Sequence, residues 1–175
     1  MGDGGVLAVE PAAVPADTAT DFEAFFEAER GRLFRALVLV TRNTHEAEEL
    51  AQEAFLKVWE RWSRLRDQEP VGYLFRVAMN AHRSRLRRAM RAVRHRAAAA
   101  ASPTDPFDAV AERDEALRLM GSLTPRQRSA VVLTELVGMS FEDAGRALGI
   151  RPGTVRVLVS QARATLSKTT EDDDA

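Results

Sequence analysis

Two apolar stripes at helical spacing, with a turn made by a glycine and an isoleucine between them, mark the C-terminal part of this 175-residue chain. Phe141, Ala144 and Leu148 form the first stripe, and Val155, Leu158, Val159, Ala162 and Leu166 the second, with Gly149-Ile150 between them. Residues three and four apart share one side of a helix. The segment is therefore restricted to two helices hinged at a tight turn. From Arg146 to Lys168 it carries five basic side chains and no acid. A helix–turn–helix of this kind can lay its second helix in a DNA major groove. Thr154, Arg156, Ser160 and Arg163 fall off the apolar stripe and face outward together. Arginine bonds guanine bidentately, and Thr and Ser reach base edges or phosphate. The competing explanation is a plain solvated basic face.

Helical periodicity extends through the rest of the chain, and strand alternation occurs nowhere in it. Residues 1–19, rich in Gly, Ala and Pro, read as a disordered arm. Thr20–Glu23 has the form of a capping box opening a first helix, and Asn43–Glu46 offers another before a second helix ending near Trp62. Ser63–Pro70 breaks the pattern, and a third long helix follows from about Val71 to Arg94. Pro103 and Pro106 end any extension through the alanine run. A short helix is expected near Phe107–Gly121, and Thr124-Pro125-Arg126-Gln127 orders a cap, a first-turn proline and a third-position Gln. The expected fold is all-α: two small helical domains at 20–96 and 112–168, a flexible linker at 97–111, and an acidic tail at 169–175.

Net charge is −1, so any case for nucleic acid rests on charge distribution rather than on the total. Arg76 to Arg96 holds eight arginines and no acid. Arg76, Arg83, Arg87 and Arg94 recur at spacings that share one helix side, and Arg85, Arg88, Arg91 and Arg96 are expected to broaden it. Trp62, Tyr73 and Phe75 border a segment with Arg64, Arg66 and Asp67. Aromatics beside a basic surface suit the unstacked bases of a single strand, although Trp62 and Phe75 also fit a core. The second helix lines one face with Glu46, Glu49, Gln52, Glu53 and Glu60. That face repels DNA and suits a basic protein partner, or is simply solvated.

With no cysteine and three scattered histidines, the chain offers no disulfide and little scope for a metal cluster. No nucleophile–base pair, carboxylate pair or phosphate loop is present, so neither catalysis nor a cofactor is expected. No apolar run approaches the roughly 18 residues of a membrane span, and the N-terminus lacks the form of a secretion signal. A cytoplasmic protein is expected.

Together these residues resemble the group IV, extracytoplasmic function, sigma factors of bacterial RNA polymerase. AEELAQEAFLKVW resembles the family's region 2.2, GYLFRVAMNAHRSRLRR (72–88) its regions 2.3 to 2.4, and residues 123–166 its region 4. The resemblance implies core RNA polymerase, through its β′ clamp and β flap, and promoter DNA as partners; an anti-sigma factor is a further partner it allows. It implies that Glu49, Gln52, Glu53, Leu56 and Trp59 form the core-docking face. It places Arg64, Arg66, Tyr73, Arg76, Asn80, Arg83, Arg87 and Arg88 on the melted −10 strand, and Arg126, Arg128, Thr154, Arg156, Ser160 and Arg163 on the −35 element. Leu158-Val-Ser-Gln-Ala-Arg163 carries fewer bases than the family's usual recognition helix. Two other classes remain open on the residues themselves: a free-standing helix–turn–helix regulator that never engages polymerase, and an adaptor that binds only proteins.

Overall fold

The computed structural model describes residues 16–95 and 111–173. In chain order the helices are α1 (Ala16–Thr41), α2 (Thr44–Trp59), the single turn α3 (Trp62–Leu65), α4 (Pro70–His95), α5 (Ala111–Gly121), α6 (Pro125–Val131), α7 (Phe141–Leu148) and α8 (Pro152–Asp173). A π-helical turn at Val132–Leu136 prolongs α6, closed by the Val137 N–H on the Val132 carbonyl at 3.0 Å. No strand occurs among the described residues. Residues 1–15 of the expected arm, 97–110 of the expected linker and 174–175 of the expected tail lie outside them, whereas residues 16–19 belong to α1, Ala111 to α5 and residues 169–173 to α8.

Local chemistry sets the helix starts. Asn43 Oδ1 accepts the Glu46 N–H at 2.8 Å, but Glu46 does not complete the box; its carboxylate reaches instead to His82 Nδ1 at 3.2 Å on α4. Thr124 and Gln127 form a full reciprocal capping box. Ser140 caps α7 through the Asp143 N–H at 3.0 Å, a bond that removes one otherwise unsatisfied donor. The box expected at Thr20 does not open α1, which already runs from Ala16 and so places Thr20 inside the helix. Ser63–Pro70 is less irregular than its composition implies, because α3 contributes a helical turn.

The helix–turn–helix forms where the stripes place it. Gly149 takes φ +63 at the C-terminus of α7, a left-handed conformation that costs a side-chain-bearing residue energy. Four residues earlier in the same motif, a Cβ on Gly145 would come within 2.9 Å of the Ile150 carbonyl oxygen. Gly145→Val is therefore expected to destabilise the protein by about 1–3 kcal/mol through overpacking. That loss corresponds to a fall in melting temperature of roughly 2–12 °C by circular dichroism.

The two halves share one core. Leu33, Leu37, Leu50, Leu74 and Phe75 from α1, α2 and α4 are fully buried in the same cluster as Val132, Leu133 and Val155. Helix α4 packs on α7, while α1 packs on α5, α6 and the π turn. Three guanidinium groups stitch the halves through backbone carbonyls: Arg32 donates to Val137, Arg83 to Leu148, and Arg128 to Val40 at 3.1 Å.

Candidate nucleic-acid interface

Helix α4 carries the basic face. Its buried side, with Leu74, Phe75, Ala78 and Met79, packs into the core, leaving Arg76, Asn80, Arg87 and Arg88 exposed. Tyr73 lies half-buried between two guanidinium groups, with Arg76 at 5.1 Å and Arg61 at 5.7 Å from its ring centre. Arg87 and Arg88 bond Ser84 at 3.1 and 3.4 Å, which orients them along the helix. Arg64 is exposed beside this face, whereas Arg66 pairs with Asp21 at 3.3 Å and Asp67 at 3.7 Å. Arg85 does not broaden the basic row as expected. It turns toward α2, pairing with Glu49 at 2.6 Å and Glu53 at 3.8 Å. Trp62 and Phe75 are buried and belong to the core, leaving Tyr73 as the aromatic of that trio able to meet a ligand.

Helix α2 presents a different chemistry from α4. Gln52 is exposed, Glu53 pairs with Lys57 at 2.7 Å, and Leu56 is 56% exposed despite its apolar side chain. Leu56 and Gln52 border a groove of about 1070 Å³ between α1 and α2, floored by Phe22, Phe26, Phe34 and Trp59. Trp59 is only partly covered, its ring 4.8 Å from that of Phe22. Glu49 is engaged by Arg85 and lies 3.5 Å from His45. An apolar floor edged by Gln52, Glu27 and Glu48 and by Arg30, Arg32 and Arg35 suits a protein surface of mixed charge.

In the C-terminal half, Val155, Val159 and Ala162 bury one side of α8 and leave Thr154, Arg156, Ser160 and Arg163 exposed on the others. Arg156 lies over the Phe141 ring at 5.2 Å, so α7 positions the principal basic side chain of α8. Arg163 pairs with Glu135 at 2.7 Å, which competes with any phosphate. Val157, 54% exposed, and Gln161 lie on the same accessible surface, although neither is charged enough to stand out in the sequence. Arg126 is exposed at the start of α6.

Arg128 requires a correction. It was expected on the DNA backbone, yet its side chain is buried and its guanidinium donates to the carbonyls of Val40 and Leu123, the latter at 3.0 Å. Burial, and secondarily the like charge of Arg42, hold its pKa below the ordinary arginine value. Its partners are interior carbonyls, so it ties α6 to α1. His82 and Glu46 form a second polar tie that periodicity did not single out, linking α4 to α2 from a site where His82 is 5% exposed.

Among the described residues there is no group of His, Cys, Asp and Glu able to hold a metal ion, and no helix long and apolar enough to cross a membrane. Residues 25–92 match the model of Sigma-70 region 2, and residues 113–166 that of Sigma-70, region 4. The chain is 30% identical over 158 residues to the ECF RNA polymerase sigma factor SigM of Mycobacterium tuberculosis, spanning 84% of this chain and 76% of that protein. It is also 30% identical over 149 residues to the ECF RNA polymerase sigma factor SigE of Mycolicibacterium smegmatis, but that match spans only 56% of the relative's length. The fold is similar to that of the sigma factor RpoE from Bartonella quintana, solved in complex with the anti-sigma factor NepR, with a TM-score of 0.70 at 23% identity over 87% of this chain and 98% of that one. With both regions in order and homology across most of its length, the chain belongs to the sigma-70 family, among the extracytoplasmic function sigma factors.

Proposed function

We propose that this protein directs core RNA polymerase to specific promoters from the cytoplasm, itself performing no catalysis. The observation that carries the proposal is a juxtaposition within the N-terminal half: α2 exposes Gln52 and Leu56 beside an apolar groove, while α4 exposes a row of arginines with Asn80. One surface suits protein and the other nucleic acid, so the lobe is suited to joining the two. Glu49, Gln52, Glu53, Leu56 and Trp59 form the core-docking face. Arg76, Arg83, Arg87 and Arg88 of α4 neutralise phosphates of the melted −10 strand, contacts that are sequence-independent and salt-sensitive, while Tyr73 and Asn80 meet its bases. Arg64 and Arg66 flank that strand. On α8, Thr154, Arg156, Ser160 and Arg163 read the −35 element, with Arg126 on the adjacent backbone. An anti-sigma factor is a further proposed partner.

The test is a pull-down from bacterial lysate with wild type and the Gln52→Lys/Glu53→Lys double variant. Wild type should retain the β and β′ subunits, and the double variant should lose them while its circular dichroism spectrum is unchanged. Equal capture would refute the docking face. A free-standing operator binder would retain neither subunit. In reconstituted initiation, Asn80→Ala should reduce permanganate reactivity of the −10 region several-fold at promoter occupancy matched to wild type. Equal melting would remove Asn80 from the opening step.

A further inference from the structure

Helix α8 opens with Pro152 and Gly153, and Val155, Val159 and Ala162 set the side it buries. Residues three, four and seven positions apart share a helix side. The line opposite the buried side therefore runs through Gly153, Val157, Gln161 and Ala164. All four are exposed and none is charged. Thr154 and Ser160 lie on either side of that line. Arg156 and Arg163 are held together on one flank, Arg156 over the Phe141 ring and Arg163 on Glu135. A single exposed valine needs no explanation on most surfaces. Val157, 54% exposed, is set apart by its place. It stands in the middle of the outward line, in the second turn of a helix whose N-terminal residues would face base edges. Gly153 marks the same side for close approach. A Cβ there would meet nothing within 4 Å, so no neighbour in the protein requires a glycine that weakens the helix. What the missing side chain does permit is the approach of an outside surface to the backbone.

We infer that α8 reads A·T pairs in its promoter element, with Val157 against a thymine methyl and Gln161 on an adenine. The inference deepens the −35 assignment proposed above and rests on it. In the major groove thymine alone presents a methyl group, and valine has only methyls to offer it. Guanine O6 and N7 would face Val157 without a donor, and the cytosine amino group without an acceptor. Either base would lose its water there and gain no bond. Gln161 can donate a side-chain N–H to adenine N7 and accept the adenine amino group at Oε1. Four residues rise about 6 Å along a helix, and base pairs lie about 3.4 Å apart, so the two side chains fall on pairs about two steps apart. Thr154, Arg156, Ser160 and Arg163 keep their places on the same element. The centre of the reading surface is nonetheless methyl and amide rather than cationic.

The full-length chain, assembled with core polymerase, is used to select from promoters randomised across the −35 region, with Val157→Ser and Gln161→Ala in parallel. Both residues are exposed, so neither substitution should shift the melting temperature. Wild type should enrich two A·T pairs about two steps apart. Val157→Ser should lose the preference at the thymine, and Gln161→Ala that at the adenine. On the most enriched promoter, replacing that thymine with deoxyuridine removes one methyl group and no hydrogen bond. Affinity of the wild-type assembly should then fall about fourfold, the effect of burying one methyl. The Val157→Ser assembly should bind both promoters equally. Enrichment of G·C pairs at these positions overturns the inference. An A·T preference that persists in the matching variant, or a promoter indifferent to the missing methyl, also overturns it and leaves DNA shape as the source. Promoters retained with no preference across the −35 region overturn the −35 assignment beneath it. Retention of no promoter overturns the sigma function itself.

Discussion

Arg128→Ala should destabilise the protein by about 3–5 kcal/mol, since two interior carbonyls lose their donor at about 1–3 kcal/mol each and a cavity is left behind. Val40 and Leu123, which supply those carbonyls, are 1% and 3% exposed, so water cannot readily replace the guanidinium. Against a total stability of about 5–15 kcal/mol, that loss is a large share. Thermal melting should fall by roughly 6–20 °C for a chain of this size. Arg126→Ala provides the contrast. Arg126 is exposed, and a substitution at such a site should stay within about 0.5 kcal/mol of wild type while weakening promoter affinity and its salt dependence. If Arg128→Ala instead melted like wild type and lost DNA binding, the interior role of Arg128 would be wrong and its expected backbone contact restored.

Leu56→Glu should weaken capture of core polymerase by about 10- to 100-fold without altering the melting temperature. Fully burying a leucine contributes about 1.5–3 kcal/mol, and each 1.4 kcal/mol is a factor of about ten in affinity. The 56% exposure of Leu56 means that the folded chain alone does not draw that contribution. It remains available to a partner seated in the α1–α2 groove. Surface plasmon resonance with immobilised core enzyme measures the loss directly. Unchanged affinity would move the docking face elsewhere on the N-terminal half.

Much of the architecture was legible because it is local. The stripes at Phe141–Leu148 and Val155–Leu166, the cap at Thr124 and the glycine at 149 each act within a few residues, and each appears in the structure as read. The start of α1 was less legible. Thr20-Asp-Phe-Glu23 is a sound cap in isolation, but the helix continues past it to Ala16. Several basic residues were legible by type and face but not by task. Arg76 and Arg87 stand on the surface where helical phase puts them. Arg85, two residues before Arg87, points to Glu49 because α2 lies alongside. Nothing in the phase of α4 encodes that neighbour.

Periodicity, caps and the order of the two motifs determined by themselves that the chain is helical, where most helices lie, and which family its motifs resemble. Those properties depend on interactions spanning a turn or two of backbone. Only the tertiary structure decided which arginines are interior ties and which remain free to meet a ligand. A guanidinium's role depends on whether water, a carboxylate or a carbonyl faces it, and those neighbours come from as far as 105 positions away, as with Arg32 and Val137. The bond from Arg83 to the Leu148 carbonyl is of the same kind: it is a consequence of packing α7 on α4.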